Sequence, residues 1–120
     1  MNREVILFIE DIFENINLIE DSTKKLTKRK FKSDKLIIDA TIRRLEVIGE
    51  SVKNIPNSFR KKYPKIPWRK ISGFRDVLIH AYFGVNIDRV WEVIKKDIPK
   101  LKEEIKEILE KVKWKSKKQN

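Results

Sequence analysis

The chain has 120 residues, 40% hydrophobic and 39% charged, with a formal net charge of +11 and a single histidine. That length supports one domain with one modest core, and the lack of cysteine excludes a disulfide framework or thiol chemistry and fits a reducing, cytoplasmic setting. No apolar run approaches the roughly 20 residues of a membrane span, the acids inside MNREVILFIEDIFE do not read as a signal peptide, and one histidine without cysteine gives no basis for an all-protein zinc site.

In chain order, Val5, Phe8, Ile9, Ile12, Ile16 and Ile19 fall at helical spacing, so residues 3–22 form an amphipathic helix. TKKLTKRKFK, residues 23–32, shows no periodicity and reads as a basic connector. Ser33 and Asp34 offer an N-cap to a second long helix traced by Ile37, Ile38, Thr41, Leu45, Ile48, Val52 and Ile55, which Pro56 ends. NSFRKKYPKIP holds one short helix. Pro67 then opens a third helix, WRKISGFRDVLIHAYF, which Gly84 terminates. A fourth runs from about Asp88 to Val112, with Pro99 kinking it or restarting it after Asp97. Residues 113–120 form a basic, frayed tail beyond a bundle spanning 1–112. No alternating strand pattern occurs. The fold class is all-α: an antiparallel bundle of four long helices and a short one.

Charge is uneven along this bundle. Residues 1–23 carry one basic and six acidic side chains, residues 24–75 seventeen and four, and residues 76–120 eleven and eight. A middle third this basic points to a polyanionic partner, because neutralising phosphates releases counterions. Residues 24–32 and 60–65 and the 113–118 lysines are the candidate phosphate-tracking patches; plain solvated surface is their other reading.

FRDVLIHAYFGVN, residues 74–86, contains His80, framed by Arg75 and Tyr82. At about 100° per residue, with Arg75 at 0°, Phe74, Val77, Leu78 and Ala81 cluster near about 250° as the core face. Arg75, Asp76, Ile79 and His80 lie opposite, and Tyr82 falls beside Arg75. Asp76 and His80 are i, i+4 neighbours, so the carboxylate can orient the imidazole. Arg75 and His80 stand about 140° apart, too far for one helix to aim both at one atom. A two-fold copy of this helix, packed across the face centred on Ile79, would gather two arginines and two histidines. A homodimer is therefore expected. Without a Gly-rich phosphate loop or a nucleophile–base triad, the available chemistry is proton transfer by His80 and charge stabilisation by Arg75. RNA suits such a site because its 2′-hydroxyl is a built-in nucleophile, and no cofactor is required. Trp68 and Trp91 read as packing residues, and Glu46 and Glu50 as helical surface or interface with Arg43 nearby for pairing.

Arg75-Asp76-Val77-Leu78-Ile79-His80 resembles the R-x4-H signature of HEPN domains, and Tyr82 extends the likeness to the R-x4-H-x-Y form of HepT-like toxins. IRRLEVIGES, residues 42–51, resembles that group's second-helix segment, which usually ends in IGEA. YPKIPWRKISGFRDVLIHAYFGVN, residues 63–86, follows its central block, and Trp91 and Pro99 also fit. The likeness covers roughly residues 3–110. It implies a helical bundle that dimerises with its motifs facing across a cleft. It further implies a metal-independent endoribonuclease toxin of a HEPN/MNT toxin–antitoxin pair, with Arg75 and His80 catalytic. The implied partner is a minimal nucleotidyltransferase antitoxin, which in such pairs transfers AMP to the motif tyrosine, here Tyr82. Two other functions compete: a non-catalytic accessory subunit of a nucleotidyltransferase, and a plain nucleic-acid-binding bundle whose affinity follows salt and ignores His80.

Overall fold

Ile9, Ile12, Ile16 and Ile19 recur at three- and four-residue steps, and the helix they demand, α1 (Arg3–Thr23), buries all four. The structure is a computed structural model that describes residues 3–81 and 83–119, with side chains through residue 112. Asp34 caps α3 (Lys35–Lys53), its carboxylate accepting the Ile37 N–H at 3.1 Å. Ile38, Thr41, Leu45, Ile48 and Val52 form the buried stripe of α3. After Pro56 comes the short α4 (Asn57–Arg60), and α5 (Trp68–Ile79) begins directly after Pro67. α3 lies between α1 and α5, and α1 also packs on the C-terminal helix. Among the described residues there is no strand, and none of their helices is long and apolar enough to cross a membrane. The all-α expectation holds.

The fourth long element is continuous. α6 (Ile87–Glu92) passes through a π-helical turn (Val93–Asp97) into α7 (Ile98–Gln119). Pro99 supplies no N–H, and its ring crowds the carbonyl four residues back. The π turn directly before it absorbs that conflict, with Val93, Ile94 and Ile98 all kept in the core. Neither a restart nor a break occurs, and the backbone of the expected frayed tail continues α7 through Gln119.

Three expectations change. Residues 23–32 are not all connector: Lys28–Ser33 form a helix, α2, whose N-cap Thr27 accepts the Lys30 N–H at 3.2 Å. Phe31 is its one buried residue, fully enclosed with its ring 5.2 Å from that of Trp91. Six residues are too few to display a period, so only Phe31 could have revealed this helix. α5 stops at Ile79, four residues before the expected end, and Gly84 (φ +111°) turns the chain further on. Val77, placed on the core face by the wheel, is 64% exposed.

Because Phe31 alone anchors α2, Phe31→Ala is expected to cost about 3–5 kcal/mol in urea denaturation. Lys30→Ala, on the solvated side of the same helix, should change stability by less than about 0.5 kcal/mol.

Candidate active site

The roll of α5 is set by a close approach to α3. Gly49 is buried, and a Cβ built there would collide with Cβ of Arg75. Only glycine lets the Arg75 stem lie this near the α3 backbone. Arg75 therefore faces α3, its side chain 24% exposed, along the same side of α5 as the buried Trp68 and Leu78. Relative to the sequence-based wheel the helix is rolled by about 90°. The roll turns Gly73, Val77 and His80 to the outside.

The guanidinium is held by carboxylates. Arg75 Nη2 meets Glu50 Oε2 at 2.9 Å, Nη1 meets Asp76 Oδ1 at 3.1 Å, and buried Nε has no hydrogen-bond partner among the described residues. Asp76 Oδ1 also accepts from Lys53 Nζ. The ammonium of Lys53, and then the guanidinium of Arg75, hold the Asp76 carboxyl below the ordinary aspartate value of 3.8. Two cations and two carboxylates thus leave the cluster formally neutral. A phosphate can reach Arg75 by displacing Glu50, whose side chain is 54% exposed.

His80 ends α5 as its C-cap. Its backbone N–H donates to the Asp76 carbonyl at 3.1 Å, and its Nδ1 lies 2.8 Å from the same oxygen. A carbonyl can only accept, so Nδ1 carries the proton and Nε2 is the basic nitrogen of the neutral ring. Asp76 thus contacts the His80 ring through its main-chain carbonyl, while its carboxylate is engaged by Lys53 and Arg75.

A cleft of about 440 Å³ opens between α1, α3 and α5, with Phe8, Asp11, Arg43, Glu50, Arg75 and Ile79 in its wall. His80 does not line it. Within one chain, Arg75 looks into the bundle-side cleft and His80 caps the helix outside it. Tyr82 lies outside the described residues. Its expected place beside Arg75 assumed a helix through residue 83, and α5 ends at Ile79.

Gly49, Glu50 and Lys53 are the site residues that periodicity alone missed. The signal was IGES, residues 48–51, whose glycine and glutamate turn out to contact Arg75. Arg43 does pair with Glu46, at 3.7 Å, and Glu46, its side chain 20% exposed, lines the same cleft as Glu50. The tryptophans pack, as expected: Trp68 is buried and donates from Nε1 to the Tyr63 carbonyl at 3.0 Å, and Trp91 stacks with Phe31.

An all-α bundle that carries the R-x4-H segment at the end of one helix agrees with the helical bundle that the HEPN resemblance implies. The chain belongs to the HepT-like ribonuclease family: the family model described as "Ribonuclease HepT-like" matches residues 12–108. It is 49% identical over 102 residues to a protein named "Probable ribonuclease HepT" from Thermococcus cleftensis, covering 85% of this chain and 93% of that one. It is 44% identical over 106 residues to "Putative RNase TTE0752" of Caldanaerobacter subterraneus subsp. tengcongensis, covering 88% and 95%. It is also 51% identical over 110 residues to "Gamma-glutamylcyclotransferase and putative RNase MJ0434" of Methanocaldococcus jannaschii; the match covers 92% of this chain and spans half the length of that relative. No solved structure matches the chain.

Gly49→Ala is expected to force α5 away from α3 and cost about 1–3 kcal/mol on denaturation, as overpacking does. The Asp76 carboxyl, followed by NMR, should titrate below 3.8. The sign follows from the lowered folded-state pKa: its contribution to stability is present above the unfolded value and is lost as pH falls through the folded one. Lys53→Met should move that midpoint back up.

Proposed function

We propose that the protein is a metal-independent endoribonuclease in which His80 transfers protons and Arg75 stabilises the reacting phosphate. The observation that carries this reading is the bond from His80 Nδ1 to the Asp76 carbonyl, which leaves Nε2 as the ring's base. Nε2 takes the proton of the RNA 2′-hydroxyl, and the 2′-oxygen attacks the adjacent phosphorus. The bond to the 5′-oxygen breaks, that oxygen takes up a proton, and a 2′,3′-cyclic phosphate remains. Arg75, released from Glu50, pairs with the non-bridging oxygens as charge builds on them.

The separation of Arg75 and His80 in one chain is resolved, in this reading, by a homodimer through α5. The interface takes the face centred on Ile79, which is 39% exposed in the wall of the Arg75 cleft, with exposed His80 at the other edge of that face. The sequence likeness to relatives named as ribonucleases supports RNA as substrate. The HepT-like resemblance supports a toxin role, neutralised by a nucleotidyltransferase antitoxin that AMPylates Tyr82. A phosphate-bearing adduct on that tyrosine would add negative charge and bulk close to His80 along the chain, opposing RNA entry.

The test is RNA cleavage by purified protein in EDTA, with wild type beside His80→Ala and Arg75→Ala. Wild type should yield 2′,3′-cyclic phosphate ends, and each substitution should reduce the rate at least about 100-fold, as loss of acid–base catalysis or a charge stabiliser does. Equal cleavage by all three would contradict the mechanism and favour an accessory subunit of a nucleotidyltransferase.

A further inference from the structure

α2 has a composition that its packing does not require. Phe31 alone holds it in the core, Arg29 stands opposite Phe31 on the helix wheel, and Lys30, to one side, is exposed as well. Lys24, Lys25, Lys28 and Lys32 extend the same exposed basic surface. Asp88, in the first turn of α6, takes both Lys28 (3.1 Å) and Lys32 (3.0 Å), and these two ammonium groups hold its carboxyl below the ordinary range, Lys32 most. One carboxylate therefore serves two lysines. Among the described residues, Lys25, Arg29 and Lys30 have no carboxylate within ion-pair distance. The result is an exposed cluster of cations on a short, well-anchored helix, with its apolar side chain turned inward.

Position makes the cluster useful. The Asp88 brace and the Phe31–Trp91 stack fix α2 against α6, and α6 is the element entered by the loop that leaves His80. Eight residues from His80 to Asp88 can span at most about 28 Å at about 3.5 Å per residue. A single RNA strand of some ten nucleotides can touch both places. A protein partner would be expected to find an aromatic or aliphatic anchor here, and the exposed residues named above supply none.

We infer that the α2 surface is a phosphate-binding exosite, in which Lys25, Arg29 and Lys30 engage the backbone of single-stranded RNA whose scissile bond lies at His80. This rests on the ribonuclease reading for its substrate, but its test does not depend on cleavage. The three cations act on affinity without sequence preference, since ammonium and guanidinium groups meet phosphates and not base edges. They are separate from the proton-transfer machinery.

The experiment compares Lys25→Gln/Arg29→Gln/Lys30→Gln with its parent, both carrying His80→Ala so that the probe survives. The probe is a fluorescent single-stranded RNA of about 20 nucleotides, titrated across a salt series. Three lost contacts should flatten the log–log salt slope by about 2, at roughly 0.7 per single-strand phosphate. An unchanged slope, or no RNA binding by the parent, would overturn the exosite; an acidic protein partner at α2 would produce that unchanged slope. With His80 intact, the triple variant should cleave an RNA dinucleotide, the shortest substrate with a scissile bond, within about twofold of the parent rate. A large loss on the dinucleotide would overturn α2 as a separate site. Failure of the parent to cleave any RNA would instead defeat the ribonuclease reading and leave the binding comparison to judge α2.

Discussion

The seating of Arg75 on Gly49 is the contact on which the rest of the site depends. A helix carrying a long cationic side chain against a neighbour normally keeps its distance, because the stem needs room. Glycine removes that demand at one point, so α5 settles close to α3 with Arg75 turned inward. Everything that follows is rotation. With Arg75 at the contact, Leu78 and Trp68 fall into the core while Val77 and His80 are carried to the far side. A half-buried guanidinium must then be neutralised, and Glu50 and Asp76 do so from either side, with Lys53 balancing Asp76. Burying Nε without an acceptor costs free energy that a purely structural arginine would not need to bear. That cost is understandable where the other guanidinium nitrogens are to be handed to a substrate.

How much of this was legible in the sequence can be argued element by element. The long helices were readable because isoleucine and leucine at three- and four-residue steps state a period over many turns, and Asp34 and Pro67 mark where two of them begin. α2 was not, since one buried phenylalanine in six residues defines no period. The roll of α5 was misjudged for a different reason. Counting apolar residues put Val77 inside and Arg75 outside, yet the deciding residue lay on another helix. A wheel drawn for α5 alone cannot see Gly49. The same blindness made Glu50 look like ordinary surface. Family resemblance drew attention to both positions through IGES, without giving the physical reason that the α3–α5 contact supplies.

Placement of His80 shows a second limit of helical extrapolation. The i, i+4 relation to Asp76 was correct, and the expected carboxylate was the wrong group. The Asp76 carbonyl already accepts the His80 backbone N–H, and the imidazole N–H takes up the second acceptor position of the same oxygen. The cap thereby sets the tautomer on which the proposed proton abstraction relies, at no expense to the Lys53–Asp76–Arg75 bridge. Charge along the chain is organised around the same helix pair. Acidic side chains concentrate in α1 and cationic ones in α2, so charge is uneven along the chain in spite of the overall +11.

The central claim is that Arg75 and His80, divided by the roll of α5 within one chain, act together across a two-fold axis. Mixing Arg75→Ala and His80→Ala chains, unfolded and refolded together at equal amounts, tests it most directly. If the axis pairs the arginine of one chain with the histidine of its partner, each mixed dimer contains one site with both residues intact. Cleavage should then return to about one quarter of the wild-type rate, given random pairing. Mixed dimers that form, as shown by tag co-purification, yet remain as inactive as either parent would contradict the account.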